Sequence, residues 1–285
     1  MAINLREVKF AYNTPKKKQP YKFTLDDINL HVDSHDEFIA IVGESGSGKS
    51  TLVQLFNGLL LTTFGSVNVF EKELSGKKLK LKDTRKKVGL VFQFPEHQLF
   101  DDSVLKDVCF GPKNFGLQNY ENLAKEALNV VGIDESLYEQ SPFNLSGGQQ
   151  RRVAIAGVLA SSPDVLVFDE PTVGLDPQGK KELLVLLKKL NEDYHKSIIL
   201  ITHDMDVLGE ACKRVVVLKQ GKIAFDGMKD ELFKNGNLVK ETSLDYPNTV
   251  KILKEIKNKF DVELDEYKYT IDDVYDELRR VFGDE

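Results

Sequence analysis

Several short apolar runs stand out along the chain: Phe38 to Val42, Val165 to Phe168, Ile198 to Ile201 and Val215 to Leu218. Each is too short for a helix and shows no polar alternation. Each therefore predicts a strand buried on both faces, as in a parallel sheet covered by helices. Earlier, Ile28, Leu30 and Val32 alternate with polar residues, the pattern of a half-exposed strand in a smaller antiparallel sheet. Leu183, Leu184, Leu187 and Leu190 fall on one helical stripe between two of the apolar runs. From about Pro95 to Ser161 strong strand runs are absent and helical spacing dominates. Leu123, Ala127, Val130 and Val131 share a face there, which predicts a helical subdomain. Near the end, Val250, Leu253, Lys254 and Lys257 mark one helix, and Val274, Leu278 and Val281 another. No internal repeat or long low-complexity linker interrupts this order. The chain reads as a β-rich start, an α/β core, a helical insertion, the core again and a helical tail.

Composition narrows the class. Of 285 residues, 41% are hydrophobic and 29% charged, ordinary globular proportions that exclude a disordered or collagen-like chain. The net charge of −6 is unevenly spread: Asp261 to Glu285 holds ten acids against Lys268, Arg279 and Arg280, so the tail is compositionally distinct. A basic run between Lys72 and Lys87 sets eight Lys or Arg against Glu73 and Asp83. It reads first as a solvated loop between strands and second as a membrane-surface patch. Without interleaved aromatics it is not a base-stacking surface, so no nucleic-acid partner is expected. No apolar stretch approaches the ~18 residues that cross a bilayer, and Met1 to Arg6 lacks a secretory pattern. Cys109 and Cys212 are too few and too far apart for a disulfide framework or zinc site, and read as small packed residues. A soluble protein of a reducing, cytosolic compartment is expected.

The chemistry begins at Gly43-Glu44-Ser45-Gly46-Ser47-Gly48-Lys49-Ser50-Thr51, which fits G-x-x-x-x-G-K-[ST] directly after the apolar run to Val42. A helix is expected from Lys49 through Leu52, Leu55, Phe56 and Leu59. The glycines let backbone N–H groups converge on phosphate oxygens, and the helix N-terminus adds positive potential. Lys49 would reach the β- and γ-phosphates, and the Ser50 hydroxyl would ligate Mg²⁺. Nucleotide binding follows, though not which NTPase. Further on, the strand Val165 to Phe168 ends in Asp169 and Glu170. Both carboxylates then sit at the C-terminal edge of a sheet strand, where α/β proteins bind ligand. Asp169 would hold Mg²⁺, directly or through water, and Glu170 would act as general base toward the attacking water.

Leu145-Ser146-Gly147-Gly148-Gln149 narrows the class further, 23 residues before Asp169 counted from Ser146. With it the chain resembles the ATP-binding cassette (ABC) ATPases over about Ile3 to Gly227. The resemblance implies a RecA-like α/β core, an antiparallel β subdomain and an α-helical subdomain, with a small helical C-terminal extension. It places the ATPase domain at 1–236, its helical subdomain at about 95–161, and the extension at 237–285. By the same resemblance, Gln93 after Val88 to Phe92 matches the glutamine loop, a catalytic and Mg²⁺-linked position. Asp176 matches the loop that crosses to an opposing subunit, and His203 in Ile201-Thr202-His203-Asp204 matches the switch histidine. Tyr12 is placed like the aromatic that stacks on adenine, with Phe10 competing for that role. The family answer to a signature in a chain that already carries a phosphate loop is a head-to-tail dimer. In it Ser146, Gly147, Gly148 and Gln149 meet the nucleotide held by a second polypeptide.

The segments Phe92 to Phe100 and Asp107 to Gly116 resemble more narrowly the ATPases of energy-coupling factor (ECF) importers, and in particular the second of the two paired forms. That likeness implies an ATP- and Mg²⁺-dependent ATPase heterodimer, peripheral on the cytosolic face of the membrane. Its partners would be a second ECF-type ATPase, a transmembrane coupling subunit and, indirectly, a small substrate-binding membrane subunit. The tail after about Asn237 would add dimer contact. Glu96, Asp101 and Asp102 are expected to flank a groove for basic residues of the coupling subunit. The alternative is the ATPase of a conventional ABC importer for metal or amino acid. DNA-repair, chromosome-organising and translation-linked ABC proteins are disfavoured: the insertion is short, no cysteine cluster exists and only one cassette fits. A non-hydrolysing subunit is disfavoured by the presence of Glu170 and His203.

Overall fold

The computed structural model describes residues 2–13, 20–74 and 81–283. Positions 75–80 of the basic run, and Asp284 and Glu285 of the acidic tail, lie outside the described residues.

Two sheets carry the fold. The strands are, in chain order, β1 (Ile3–Phe10), β2 (Leu25–Val32), β3 (Phe38–Val42), β4 (Phe64–Val69), β5 (Lys72–Glu73), β6 (Val88–Val91), β7 (Val165–Asp169), β8 (Ser197–Ile201), β9 (Arg214–Lys219) and β10 (Lys222–Met228). The smaller sheet, in order β2-β1-β4-β5, is antiparallel throughout. The larger runs β10-β9-β3-β8-β7-β6, parallel except for the β10–β9 hairpin at one edge. The four apolar runs are its β3, β7, β8 and β9. Their lack of alternation has a direct cause: successive residues feed two different cores. Ala40, Phe168, Leu200 and Val217 face one core; Ile41, Val167, Ile201 and Val216 face the other, shared with the antiparallel sheet. Ile28, Leu30 and Val32 are buried on β2 as their alternation predicts. Asp27 at φ 61° shifts the register ahead of them.

The helices are α1 (Lys49–Phe56), α2 (Lys82–Lys87), α3 (Val104–Phe115), α4 (Tyr120–Val130), α5 (Gly147–Leu159), α6 (Pro177–Glu192), α7 (Met205–Ala211), α8 (Lys229–Lys234), α9 (Gly236–Glu241), α10 (Asn248–Phe260) and α11 (Ile271–Phe282). α1 ends before Leu59, because Gly58 turns into the left-handed region and the Asn57 side chain accepts from the Leu59 N–H. α3, α4 and α5 pack on one another as a helical unit. On α4 the buried stripe is Ala124, Ala127 and Leu128, whereas Leu123 and Val130 are only half-buried. The small alanines admit the neighbouring helices, so the contact face is rotated from the one the larger side chains suggest. Leu183, Leu184, Leu187 and Leu190 are buried on α6.

The tail docks on α7. Asp206 accepts from the Asn248 backbone N–H and side-chain amide, each at 2.6 Å, and Val250 and Leu253 are fully buried. α11 buries Glu277, which accepts from Arg280 at 2.6 Å and from the Asp265 N–H at 2.6 Å. Its Val274, Leu278 and Val281 are only half-covered. Ile271 is 81% exposed. The Phe260 and Phe282 rings meet edge to face at 5.8 Å, and Ile252, Phe260, Ile271, Tyr275 and Phe282 of α10 and α11 are exposed.

Candidate functional site

β3 delivers the chain into the loop 43–48 at the C-terminal edge of the larger sheet, and α1 leads away from it. Gly43 is obligatory: at φ +142° a Cβ would come within 2.0 Å of the Leu218 carbonyl oxygen. Gly48, at φ +105°, would clash with Leu25. Gly48 is also the N-cap of α1, so no side chain caps that helix end. The backbone donors of its first turn are left for a ligand. Ser47 is 4% exposed and its hydroxyl has no partner, an orphaned polar group inside the loop. Lys49 Nζ donates to the carbonyls of Gly43 at 2.7 Å and Glu44 at 3.0 Å, across the loop. Burial lowers its pKa, while the charges of Glu170 and Asp169 act in the opposite direction.

Gly48 and Lys49, with Ser45, Gly46, Ser50 and Thr51, line one open cleft of about 480 Å³, together with Tyr12, Gln93, Asp169, Glu170 and His203. Burial pushes the Asp169 carboxyl up, against a hydrogen bond from Ser50 and the charge of Lys49. Glu170 leaves β7 in the left-handed region at φ 51°, a sparsely populated conformation of the kind concentrated at functional sites. Its carboxylate lies 2.7 Å from Nδ1 of His203, which stands between β8 and α7. Gln93 enters from the end of β6. Three adjacent parallel strands, β8, β7 and β6, therefore bring a histidine, two carboxylates and an amide to one sheet edge opposite the loop. The Tyr12 hydroxyl is 2.9 Å from the Thr51 hydroxyl. Its ring is exposed, whereas Phe10, on which it packs edge-on, is buried; of the two aromatics only Tyr12 faces the cleft. Ile201 of the His203 segment also lines it, as do Thr24 and Val173, which carry no motif of their own.

The other expected nucleotide contacts lie outside this cleft. Ser146, Gly147 and Gly148 are exposed at the N-terminus of α5. A capping box closes that end: Ser146 Oγ accepts from the Gln149 N–H at 3.3 Å, and Gln149 Oε1 accepts from the Ser146 N–H at 3.0 Å. Asp176 is exposed too and caps α6 by accepting from the Gly179 N–H at 2.7 Å.

The acids expected at a partner groove separate in the structure. Glu96 is turned inward, at 2.9 and 3.1 Å from the Arg151 guanidinium, and is not available to a partner. Burial opposes its charge, but the Arg151 hydrogen bond, a backbone hydrogen bond and the Arg151 charge outweigh it and hold its pKa low. Asp102 projects into solvent, 4.0 Å from Lys106. Asp101 alone lines a groove, with Lys106, Phe110, Lys113 and Glu121 among its walls. Arg151 escaped the sequence reading, because Gln149-Gln150-Arg151-Arg152 gives no sign of which arginine points inward.

The chain is similar to known proteins along most of its length. Residues 25–173 match the ABC transporter family. The energy-coupling factor transporter ATP-binding protein EcfA2 of Clostridium tetani is 41% identical over 99% of this chain and 98% of its own length. Its namesake in Bacillus thuringiensis is 42% identical over 99% and 96%. Among solved structures, cbiO1 of Clostridium perfringens, part of the ABC transporter complex cbiONQ, superposes with a TM-score of 0.74 at 33% identity, covering 91% of this chain and 96% of that one. The ATP-binding cassette MJ0796, solved as a dimer with ADP and Pi, reaches 0.69 at 31% identity, covering 79% and 98%. The chain belongs to the ABC transporter family, among the ATP-binding proteins of energy-coupling factor transporters.

Proposed function

We propose that this chain is the ATP-hydrolysing subunit of an ECF-type importer, working as one half of an ATPase heterodimer on the cytosolic face of a membrane. The observation that carries the hydrolytic role is the 2.7 Å Glu170–His203 pair facing an uncapped helix end and Lys49 across one cleft. The loop 43–48 and the start of α1 cradle the phosphates. Lys49 exchanges its two loop carbonyls for β- and γ-phosphate oxygens, and Tyr12 stacks on adenine. Ser50 and Asp169, which line the same cleft, fit Mg²⁺, which needs few protein oxygens when phosphates and water complete its shell; Gln93 joins them. The ion when bound supplies neutralisation of charge on the phosphate oxygens. Glu170 takes the proton of the attacking water, and His203 holds that carboxylate in place.

Ser146, Gly147, Gly148, Gln149 and Asp176 serve the partner's nucleotide. They lie outside the chain's own cleft, and a helix N-terminus is an anion site. Loss of the γ-phosphate then removes the contacts that favour the closed dimer. We divide the chain into the ATPase domain at 1–236, with its helical subdomain at 95–161, and the extension at 237–285. The apolar face of α10 and α11 is the extension's dimer contact, and the groove beside Asp101 meets the transmembrane coupling subunit. The test is a mild-detergent pull-down of this chain from its own membranes. Recovery of a second, similar ATPase, an integral coupling subunit and small substrate-binding membrane proteins supports the reading. Recovery of a conventional permease pair, or of no membrane protein, overturns the ECF assignment.

A further inference from the structure

Arg151 is 5% exposed, and a buried guanidinium needs every hydrogen bond it can make. Its partners come from two separate parts of the chain, one just after Gln93 and one just after Glu170. Nε and Nη2 donate to the two Glu96 oxygens at 3.1 and 2.9 Å. Nη1 donates to the carbonyl of Pro171 at 2.9 Å and to that of Val173 at 3.1 Å. Four of the five N–H donors are thus engaged. Glu96 lies three positions beyond Gln93, on the short turn Pro95–Gln98. Pro171 and Val173 follow Glu170 directly, and the Val173 N–H closes back on the Glu170 carbonyl at 3.3 Å. Arg151 itself sits in the first turns of α5, the helix that begins at Gly147.

We infer that Arg151, with Glu96, is a positioning residue that ties the segments leaving Gln93 and Glu170 to the signature helix, so that occupancy of this chain's own cleft sets where Ser146-Gly147-Gly148 is presented to the partner's nucleotide. The inference rests on the head-to-tail reading above. The fork geometry matters: it grips a carboxylate in two places and two carbonyls with the remaining nitrogen. A lysine keeps the charge but makes one point contact. A displacement at either loop is therefore passed to α5 as a rigid shift, because the contacts are short, buried and bidentate.

The test uses the assembled complex of this chain with its partner ATPase, reading kcat, KM for ATP, and binding of a fluorescent ATP analogue to this chain. Arg151→Lys and Glu96→Gln are each expected to lower kcat about tenfold, with KM and analogue affinity changed less than threefold. A double-mutant cycle with Ser146→Ala supplies a readout that a merely structural role does not move. In the Ser146→Ala background, either substitution is expected to cost less than a further twofold, since both act through that serine. If Arg151→Lys does not fold, Glu96→Gln carries the same cycle. Two results overturn the inference alone while Ser146→Ala still slows turnover: unchanged kcat in both variants, or the full tenfold loss added on top of Ser146→Ala. If Ser146→Ala itself leaves turnover unchanged, the head-to-tail reading falls and takes the inference with it.

Discussion

Two helix N-termini in this molecule present the same kind of backbone N–H donors and are finished in opposite ways. At α1 the cap is Gly48, which has no side chain to satisfy the first-turn donors, and the neighbouring Ser47 hydroxyl is buried without a partner among the described residues. At α5 the cap is Ser146, and a reciprocal pair with Gln149 closes the end within the chain. α1 faces a cleft furnished with Lys49, Asp169, Glu170 and His203, whereas α5 opens on solvent. The difference teaches that a helix end is an anion site only when its surroundings are arranged for one. The α1 end is left open toward a cleft of its own chain. The α5 end is self-satisfied until something outside competes with Gln149 for it.

The comparison can be broken most severely at the chemistry beside α1. Glu170→Gln removes the proposed base but leaves both helix ends and Lys49 in place. Turnover is expected to fall by roughly 10²–10⁴-fold, with ATP affinity within a few-fold and a closed dimer accumulating, measured by steady-state hydrolysis and size-exclusion chromatography with ATP. Unchanged turnover would remove Glu170 from its role. Lys49→Ala acts on binding instead. Losing a charge-assisted contact to two phosphates is expected to weaken ATP by roughly 100-fold, read by titration with a labelled analogue.

Ser146→Ala tests the other end. It costs about 1 kcal/mol of helix stability through the lost cap. Turnover is expected to drop about tenfold while ATP binding to this chain's own loop stays within twofold, which is the asymmetry between the ends stated as a measurement. The smallest effect comes with acid. Glu96 is held below the ordinary glutamate value of about 4.5, so its support of α5 is fully present above about pH 4.5. That support is lost as the pH falls through the lower folded value. Hydrogen exchange across 147–159 is therefore expected to rise below pH 4.5 as Glu96 protonates. Glu96→Gln should show the faster exchange already at pH 7.

The chain by itself determined a good deal. Unbroken apolar runs specify parallel strands, because a strand covered on both faces has no polar side. The phosphate loop, the Asp169-Glu170 pair and the Leu145–Gln149 segment are legible because their chemistry is local: glycines at set spacing after a strand, acids at a strand's end. Tertiary structure decided what depends on distant packing. It left the Tyr12 ring exposed beside the cleft and buried that of Phe10, and it rotated the contact face of α4 onto its alanines. It also turned Glu96 away from the surface and onto Arg151, across 55 positions of sequence. The signature's separation from the chain's own cleft is likewise a fact of folding, since linear order does not reveal which helix end will face which ligand. Periodicity reports whether a side chain is covered, and only the packed structure fixes what covers it.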